Sequence, residues 1–445
     1  MSHTETPSGS ADIRNAIDSS AWSGFQKTIL AVTALAVIMD GFDNQLIGFA
    51  VPAIMADWQI PKDSFGPVLA ISLLAMTIGT FLGGLAGDKV GRRPALIASM
   101  LILALGTGLA AFSQDLTQLA LLRWAAAIGL GGAMPNATAL LAEYTPVAKR
   151  SVAVTLAIIG VPIGGVVAGL VAASLLTTSG WRGLFMVGGA LSLATTALIF
   201  IWLPESPNHL LRFPEKHEKF RRVMQRCGIT VAPGAVLNEG QEQKRPSIFL
   251  FLSPAFLIRT LLLWGAFFSS LFAVYLVFSW MPTLFAGAGF GLKVASGGLA
   301  AFNFGSILGA VSGGWLMDRT RDTRPLVVWA ALGAVVAFVM VVVGLTGLGD
   351  TVIIACMGIL GIFAGGSQVM LFAAAAHLYP APLRAGGVGA ALAFGRLGGV
   401  SSSLVGPMIL NAGAAAFFAV IALSMLSMGA FLVAGLRVAR KSNTG

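Results

Sequence analysis

Charge is what this chain lacks most. Only 10% of its 445 residues are Asp, Glu, Lys or Arg, against 56% hydrophobic residues, whereas a soluble domain carries about 25% charged residues. That balance excludes a water-soluble globular protein and makes the chain an integral membrane protein. Cysteine is nearly absent: Cys227 and Cys356 lie far apart, outside any CxxC or Cys/His cluster, so neither a disulfide framework nor a metal site follows. There is no metal motif, nucleophile elbow or P-loop and no sizeable soluble domain. These absences disfavour a membrane enzyme, a signalling receptor or an ATP-driven pump, and no cofactor is implied. Alternating strand patterns of the outer-membrane kind are missing, which disfavours a β-barrel. Residues 1–25 are polar and lack the basic-then-apolar design of a cleaved signal peptide, so they read as a cytoplasmic tail.

Long apolar runs are what the chain has in abundance. Twelve reach the ~20 residues that a helix needs to cross a bilayer. Their approximate limits are 26–51, 65–87, 94–113, 117–143, 150–174, 182–203, 256–282, 295–317, 325–347, 350–378, 385–410 and 413–437. The net charge of +10 forms no nucleic-acid face, because the bases fall at segment ends. Lys89, Arg92 and Arg93 follow span two, Lys149 and Arg150 follow span four, and Arg212, Lys216, Lys219, Arg221, Arg222 and Arg226 follow span six. Arg319, Arg321 and Arg324 follow span eight, Arg384 follows span ten, and Arg437, Arg440 and Lys441 close the chain. The alternate connections carry only Lys62, Arg182 and Lys293. This bias puts both termini and the long central loop in the cytoplasm. Region 204–255, opening Pro204-Glu205-Ser206-Pro207, is the one long polar stretch. It reads as a cytoplasmic linker between a bundle at 26–203 and another at 256–437, with 438–445 as a second tail.

The two bundles repeat each other. Gly84-Leu85-Ala86-Gly87-Asp88-Lys89 matches Gly314-Trp315-Leu316-Met317-Asp318-Arg319, and Gly131-Gly132 corresponds to Gly365-Gly366. Glu143-Tyr144-Thr145-Pro146 with Arg150 corresponds to Leu378-Tyr379-Pro380 with Arg384. All three pairings are shifted by about 230–235 residues and fall on the same helix number of each half. Parallel six-helix repeats with a site near the bilayer midplane are the architecture of one large class of secondary transporter.

Ionisable residues inside spans are the functional candidates, because a charge in hydrocarbon is expensive to bury. Asp40 and Asp43 lie in the first span, three residues apart and on one helical face. At about 1.5 Å of rise per residue they stand roughly 21 and 26 Å above the cytoplasmic face, and Arg123 of the fourth span reaches roughly 21 Å. Two acids against one base leave a surplus charge that protonation removes. Asp43, or the Asp40/Asp43 pair, is therefore the expected proton carrier, with Arg123 tuning it; a static buried ion pair that fixes helix packing is the competing reading. Arg396, roughly 17 Å deep, is the one positive charge at that depth in the second half. It is expected to anchor a substrate carboxylate, the alternative being a structural Arg bonded to backbone carbonyls. Asn303 and Gln368 could bond a ring hydroxyl or tie helices together. Phe42, Tyr275 and Trp280 could stack on an aromatic ring or simply pack. His377, ending span ten, is an interfacial histidine or a proton relay.

The chain resembles the major facilitator superfamily over nearly its whole length. The sharpest marker is Gly84-Leu85-Ala86-Gly87-Asp88-Lys89-Val90-Gly91-Arg92-Arg93, similar to that superfamily's loop motif between helices two and three. The resemblance implies an all-α integral membrane protein with twelve transmembrane helices in two pseudo-symmetric six-helix bundles, the major facilitator fold. Asp88, Arg92, Arg93 and Glu143, with Asp318 and Arg319 in the second copy, are then expected to form a gating charge network that breaks as the halves rock. An Arg cluster that only sets orientation is the plainer alternative. Thr320 and Arg321 stand where glycine is expected, so the second network is expected to be weaker.

A narrower resemblance joins Asp40-Gly41-Phe42-Asp43 to the D-G-x-D motif of the aromatic acid/proton symporter family. Gly129-Leu130-Gly131-Gly132-Ala133-Met134-Pro135-Asn136, Ser279-Trp280-Met281-Pro282, Arg384-Ala385-Gly386-Gly387-Val388-Gly389 and Gly395-Arg396-Leu397-Gly398 extend it. It implies proton-coupled import of a small aromatic, benzoate-like carboxylate by alternating access. Protons and the lipid bilayer are then the other partners, a bacterial inner membrane is the location, and the monomer is the functional unit. Gly160-Val161-Pro162-Ile163-Gly164-Gly165 vaguely resembles an antiporter motif, though it can equally be a helix-packing face. It keeps a proton-coupled exporter of a drug or metabolite as the alternative, which Arg396, suited to an anion, disfavours.

Overall fold

Where no water is available, the backbone must bond to itself, and each long apolar run does so as a helix. The computed structural model describes residues 16–18, 20–231, 253, 256–345, 347–378 and 384–441. The first half holds α1 (Gly24–Trp58), α2 (Phe65–Val90), α3 (Arg92–Ala110), α4 (Leu116–Tyr144), α5 (Val147–Ile158), α6 (Gly160–Thr178) and α7 (Gly180–Trp202). Two short helices follow in the linker, α8 (Pro207–Arg212) and α9 (His217–Arg226). The second half holds α10 (Leu257–Gly287), α11 (Leu292–Thr320), α12 (Arg324–Val343), α13 (Asp350–Leu360), α14 (Gly366–Leu378), α15 (Arg384–Asn411) and α16 (Ala414–Lys441). Among the described residues twelve helical stretches are long and apolar enough to cross a membrane, α5 and α6 forming one and α13 and α14 another.

Local chemistry sets the ends. Ser23 and Gln26 cap α1 reciprocally, the Ser23 N–H donating to Gln26 Oε1 (2.8 Å) and the Gln26 N–H to Ser23 Oγ (3.3 Å). Asp115 caps α4 by accepting from the Gln118 N–H at 2.8 Å. α1 outruns its apolar core and reaches Trp58, where Gln59 turns left-handed at φ 55°. Two runs expected to be continuous are interrupted. The fifth breaks at Ile159 because Pro162 has no N–H to offer the Ile158 carbonyl. The tenth contains a π turn over Gly361–Gly365, of the kind that often sits beside functional sites.

Glycines decide which helices touch. A methyl at Gly79 of α2 would lie 2.1 Å from the Ile128 carbonyl of α4, and one at Gly131 would lie 2.0 Å from the Met76 carbonyl. The second half repeats both approaches: a methyl at Gly309 would lie 1.8 Å from the Ile362 carbonyl and one at Gly365 1.8 Å from Ser306 Oγ. Positions 79 and 309, and 76 and 306, are the same repeat positions. Small residues thus let backbones approach in both copies. The halves join through α1 with α10, α2 with α15, and α6 with α11.

The end of the molecule that carries Arg92, Arg93, Lys149 and Arg150 is termed the basic end below, and the other the distal end. Contacts between halves gather toward the distal end. Gly48 faces the Phe278 carbonyl, Gly66 the Ser403 carbonyl and Gly169 the Ala300 side chain, whereas Gly84 of α2 and Gly389 of α15, nearer the basic end, have no neighbour within 4 Å of an added methyl.

The glycine–proline run of α6 lies on α1: a methyl at Gly164 would sit 2.0 Å from the Ile38 carbonyl, and one at Gly41 1.9 Å from the Val161 carbonyl. Gly41→Ala and Gly164→Ala are each expected to cost about 1–3 kcal/mol by overpacking. Gly314→Ala, with open space around it, is expected to be neutral. Melting curves of the purified variants check this, and equal midpoints in all three would contradict the close α1–α6 approach.

Candidate functional site

The candidate site is a cavity between the halves. α1 supplies Asp40 and Asn44, α10 supplies Tyr275, α11 supplies Asn303 and Ser306, α14 supplies Gln368 and α15 supplies Arg396. Met76, Met134, Val161, Phe278, Phe372 and Leu392 give it apolar walls. A concave, mostly apolar chamber with a few polar groups is how small organic molecules are held.

The structure divides the acid pair. Asp43 lies inside the first half, 1% exposed, where Arg123 grips it with two parallel bonds, Nη1 to Oδ1 at 3.0 Å and Nη2 to Oδ2 at 2.9 Å. Nη2 also reaches the Asp43 carbonyl at 3.3 Å, and Thr107 donates to Oδ1 at 2.5 Å. The guanidinium lies over the Phe185 ring, 5.6 Å from its centroid. This bidentate, buried unit is close to neutral as a whole. Asp40, one turn earlier, faces the cavity instead. No described residue donates a hydrogen bond to its carboxylate, and its Oδ1 is shut off from solvent.

Arg396 is 6% exposed and lines the same cavity. Its Nη1 donates across the halves to Thr80 Oγ1 at 2.6 Å and to the Met76 carbonyl at 3.4 Å. Asn44 Nδ2 donates to the Tyr275 hydroxyl at 3.3 Å, again between halves. Asn303 and Gln45 form a reciprocal amide pair, Asn303 Nδ2 to Gln45 Oε1 at 2.7 Å and Gln45 Nε2 to Asn303 Oδ1 at 3.0 Å. The second Asn303 N–H bonds the Leu299 carbonyl at 2.8 Å, so both its donors are taken by protein. Gly165 of α6 makes room for this pair, since a methyl there would lie 2.2 Å from Gln45 Nε2.

Two of the three aromatic candidates lie elsewhere. Phe42 is fully buried against Gly188 of α7, and Trp280 is buried against Gly406 of α15. Neither lines the cavity, because alternate positions on a helix point to different neighbours; Phe278, not foreseen, does line it. Gln368 lines it too, one turn beyond the π segment. The side chain of His377, like that of Arg384, lies outside the described residues, as do 1–15, 232–252 and 442–445.

At the basic end Arg92 pairs with Asp88 (2.7 Å) and approaches Glu143 (3.8 Å), while Ser206 donates to Glu143. Arg93 lays its guanidinium over Phe200, donates to the Phe200 carbonyl, and offers its N–H to Glu205 Oε1 at 3.1 Å. Glu205 gets that close because Gly91 has no side chain and turns through φ 111°. Among the described residues this network ties α2, α3, α4 and α7 to the linker and does not bridge the halves. The second copy differs: Asp318 and Arg319 are exposed, no described ion pair joins them, and Arg319 lies over Trp315. Arg321 replaces the glycine turn at φ 51°.

Sequence reasoning missed Asn44, Gln45, Thr80, Thr107 and Glu205. The amides directly after Asp43 were the available signal; the others are ordinary residues until the helices are packed.

Among the described residues, twelve helical stretches able to cross a membrane, in two repeated sets around a central cavity, have the architecture of a carrier. The chain belongs to the Major Facilitator Superfamily, whose sequence profile matches residues 33–399. It is 34% identical to a 4-hydroxybenzoate transporter of Pseudomonas aeruginosa over 90% of each chain. It is 32% identical to a gallate transporter of Pseudomonas putida, covering 90% of this chain and 89% of that one. The xylose transporter XylE of E. coli, in a partially occluded inward-open form, superposes with a TM-score of 0.70 at 19% identity, over 92% of this chain and 99% of that one, a likeness of fold.

The Asp43–Arg123 unit gives a stability prediction. Asp43→Leu or Arg123→Leu leaves one charge buried without its partner and is expected to cost about 3–5 kcal/mol, whereas the double variant recovers most of the loss. Thermal midpoints of the three purified proteins check it. A double variant as unstable as the singles would show that the two charges do not compensate each other.

Proposed function

We propose that the protein imports an aromatic carboxylate together with protons by alternating access, as a monomer of the bacterial inner membrane. The observation that carries the reading is the cavity's pair of opposite charges, the Arg396 guanidinium from one half and the Asp40 carboxylate from the other, within Coulombic reach but joined by no ion pair, between apolar and aromatic walls. Arg396 anchors the substrate carboxylate. Asp40 carries the proton, since protonation removes its unpartnered charge and Asp43 is already matched by Arg123. This narrows the expectation of Asp43, or the Asp40/Asp43 pair, to Asp40. Tyr275, Phe278 and Gln368 are the remaining ring contacts, and Asn303 serves to join the halves. The 4-hydroxybenzoate and gallate transporters among the relatives support an aromatic acid as cargo.

With the basic end and both termini in the cytoplasm, the contacts described above close the periplasmic side and leave the cavity leaning inward. The antiporter alternative loses ground, because the glycines of its α6 motif are occupied in packing on α1. The basic-end network around Arg92 and Arg93 acts as a clasp on the first half and the linker that rearranges during rocking.

Uptake of radiolabelled benzoate, 4-hydroxybenzoate and gallate into proteoliposomes with an acidic exterior tests the reading. At least one acid is expected to accumulate, and an uncoupler is expected to abolish accumulation. Accumulation indifferent to the uncoupler would overturn proton coupling. Arg396→Lys keeps the charge but loses the fork, and is expected to raise the apparent KM about tenfold; an unchanged KM would overturn the anchor.

A further inference from the structure

The geometry points to Thr80 as a positioning residue for the substrate carboxylate, acting from the half opposite the anchor. This inference rests on Arg396 being that anchor. Thr80 sits on α2, and its hydroxyl hydrogen is committed within its own helix, donating to the Met76 carbonyl at 2.9 Å. Its oxygen is therefore left as a pure acceptor, and Arg396 Nη1 donates to it at 2.6 Å. The Met76 carbonyl takes a longer second bond from the same nitrogen, at 3.4 Å.

These two acceptors hold one corner of the guanidinium. Nε and Nη2 have no protein partner among the described residues, and neither is among the buried unsatisfied atoms, so they are open to the cavity that Arg396 lines. Nε and Nη2 make up one straight edge of the fork, the edge that accepts a carboxylate with two parallel bonds. Among the described residues Thr80 Oγ1 and the Met76 carbonyl are the polar contacts that hold the guanidinium with that edge free.

Because Thr80 and Arg396 belong to different halves, the edge is presented only while α2 and α15 touch at this level. Orientation of the anchor is thus tied to the arrangement of the halves through neutral acceptors.

Apparent KM and Vmax for uptake of radiolabelled benzoate and 4-hydroxybenzoate, with Thr80→Val, Thr80→Ser, Arg396→Ala and the Thr80→Val/Arg396→Ala double variant in proteoliposomes, test the assignment. Thr80→Val keeps the shape and removes the acceptor, and is expected to raise KM about tenfold with Vmax per folded carrier little changed. Thr80→Ser, which keeps the acceptor, is expected to restore KM. In the Arg396→Ala background Thr80→Val is expected to have no further effect. A raised KM in Arg396→Ala with an unchanged KM in Thr80→Val overturns the role of Thr80 alone. An unchanged KM in Arg396→Ala overturns the anchor and this role with it. A Thr80→Val defect that Ser does not rescue, or that persists in full without Arg396, makes Thr80 a packing residue and overturns the proposal.

Discussion

A charge in hydrocarbon must be matched or must face a cavity, and the bond between Arg123 and Asp43 is where this constraint organises the molecule. Two guanidinium nitrogens meet two carboxylate oxygens, a threonine completes the acceptor, and an aromatic ring covers the cation. Such a unit, neutral in itself, holds α1 to α3, α4 and α7. What remains is informative: Asp40 is left without a hydrogen-bond donor and Arg396 without an acid in ion-pair contact, each on its own half and the two facing one chamber within Coulombic reach. On the proposed reading, the coupling of a proton to an anion is then confined to these two side chains.

The surrounding fold serves that arrangement by bringing backbones close within each half. Gly79 against Ile128 and Gly309 against Ile362 are one contact made twice, as are Gly131 against Met76 and Gly365 against Ser306. The copies then diverge where their work differs. The first keeps Gly91 and with it the Glu205 contact to Arg93, clasping the linker; the second puts Arg321 at the same turn and leaves Asp318 exposed. The second also inserts the π turn that precedes Gln368, on the cavity side of α14. Neutral bonds between halves, such as Gln45 with Asn303, suit a joint that has to open, because they separate without stranding a charge.

Much of the architecture was legible before any coordinates, since apolar run length and the placement of Lys and Arg follow directly from bilayer thickness and charge bias. Depth arithmetic set Arg123 level with the acids, and the structure joins it to Asp43. The same arithmetic could not separate Asp40 from Asp43: three residues of α-helix leave about 60° between side chains, enough for one to face the cavity and the other the bundle. Phe42 and Trp280 were misplaced for the same reason. Thr80 and Glu205 were invisible because their roles depend on which helix lies opposite, and on a glycine turn whose conformation the residue string does not show.

The central claim is that Asp40, and not Asp43, carries the proton that drives uphill movement of the acid. Purified Asp40→Asn in proteoliposomes, loaded with unlabelled acid or left empty, separates exchange from accumulation in one assay. The account predicts that this variant still exchanges labelled for unlabelled acid yet no longer accumulates it against a gradient when the exterior is acidic. Accumulation by Asp40→Asn that still collapses with an uncoupler would contradict it.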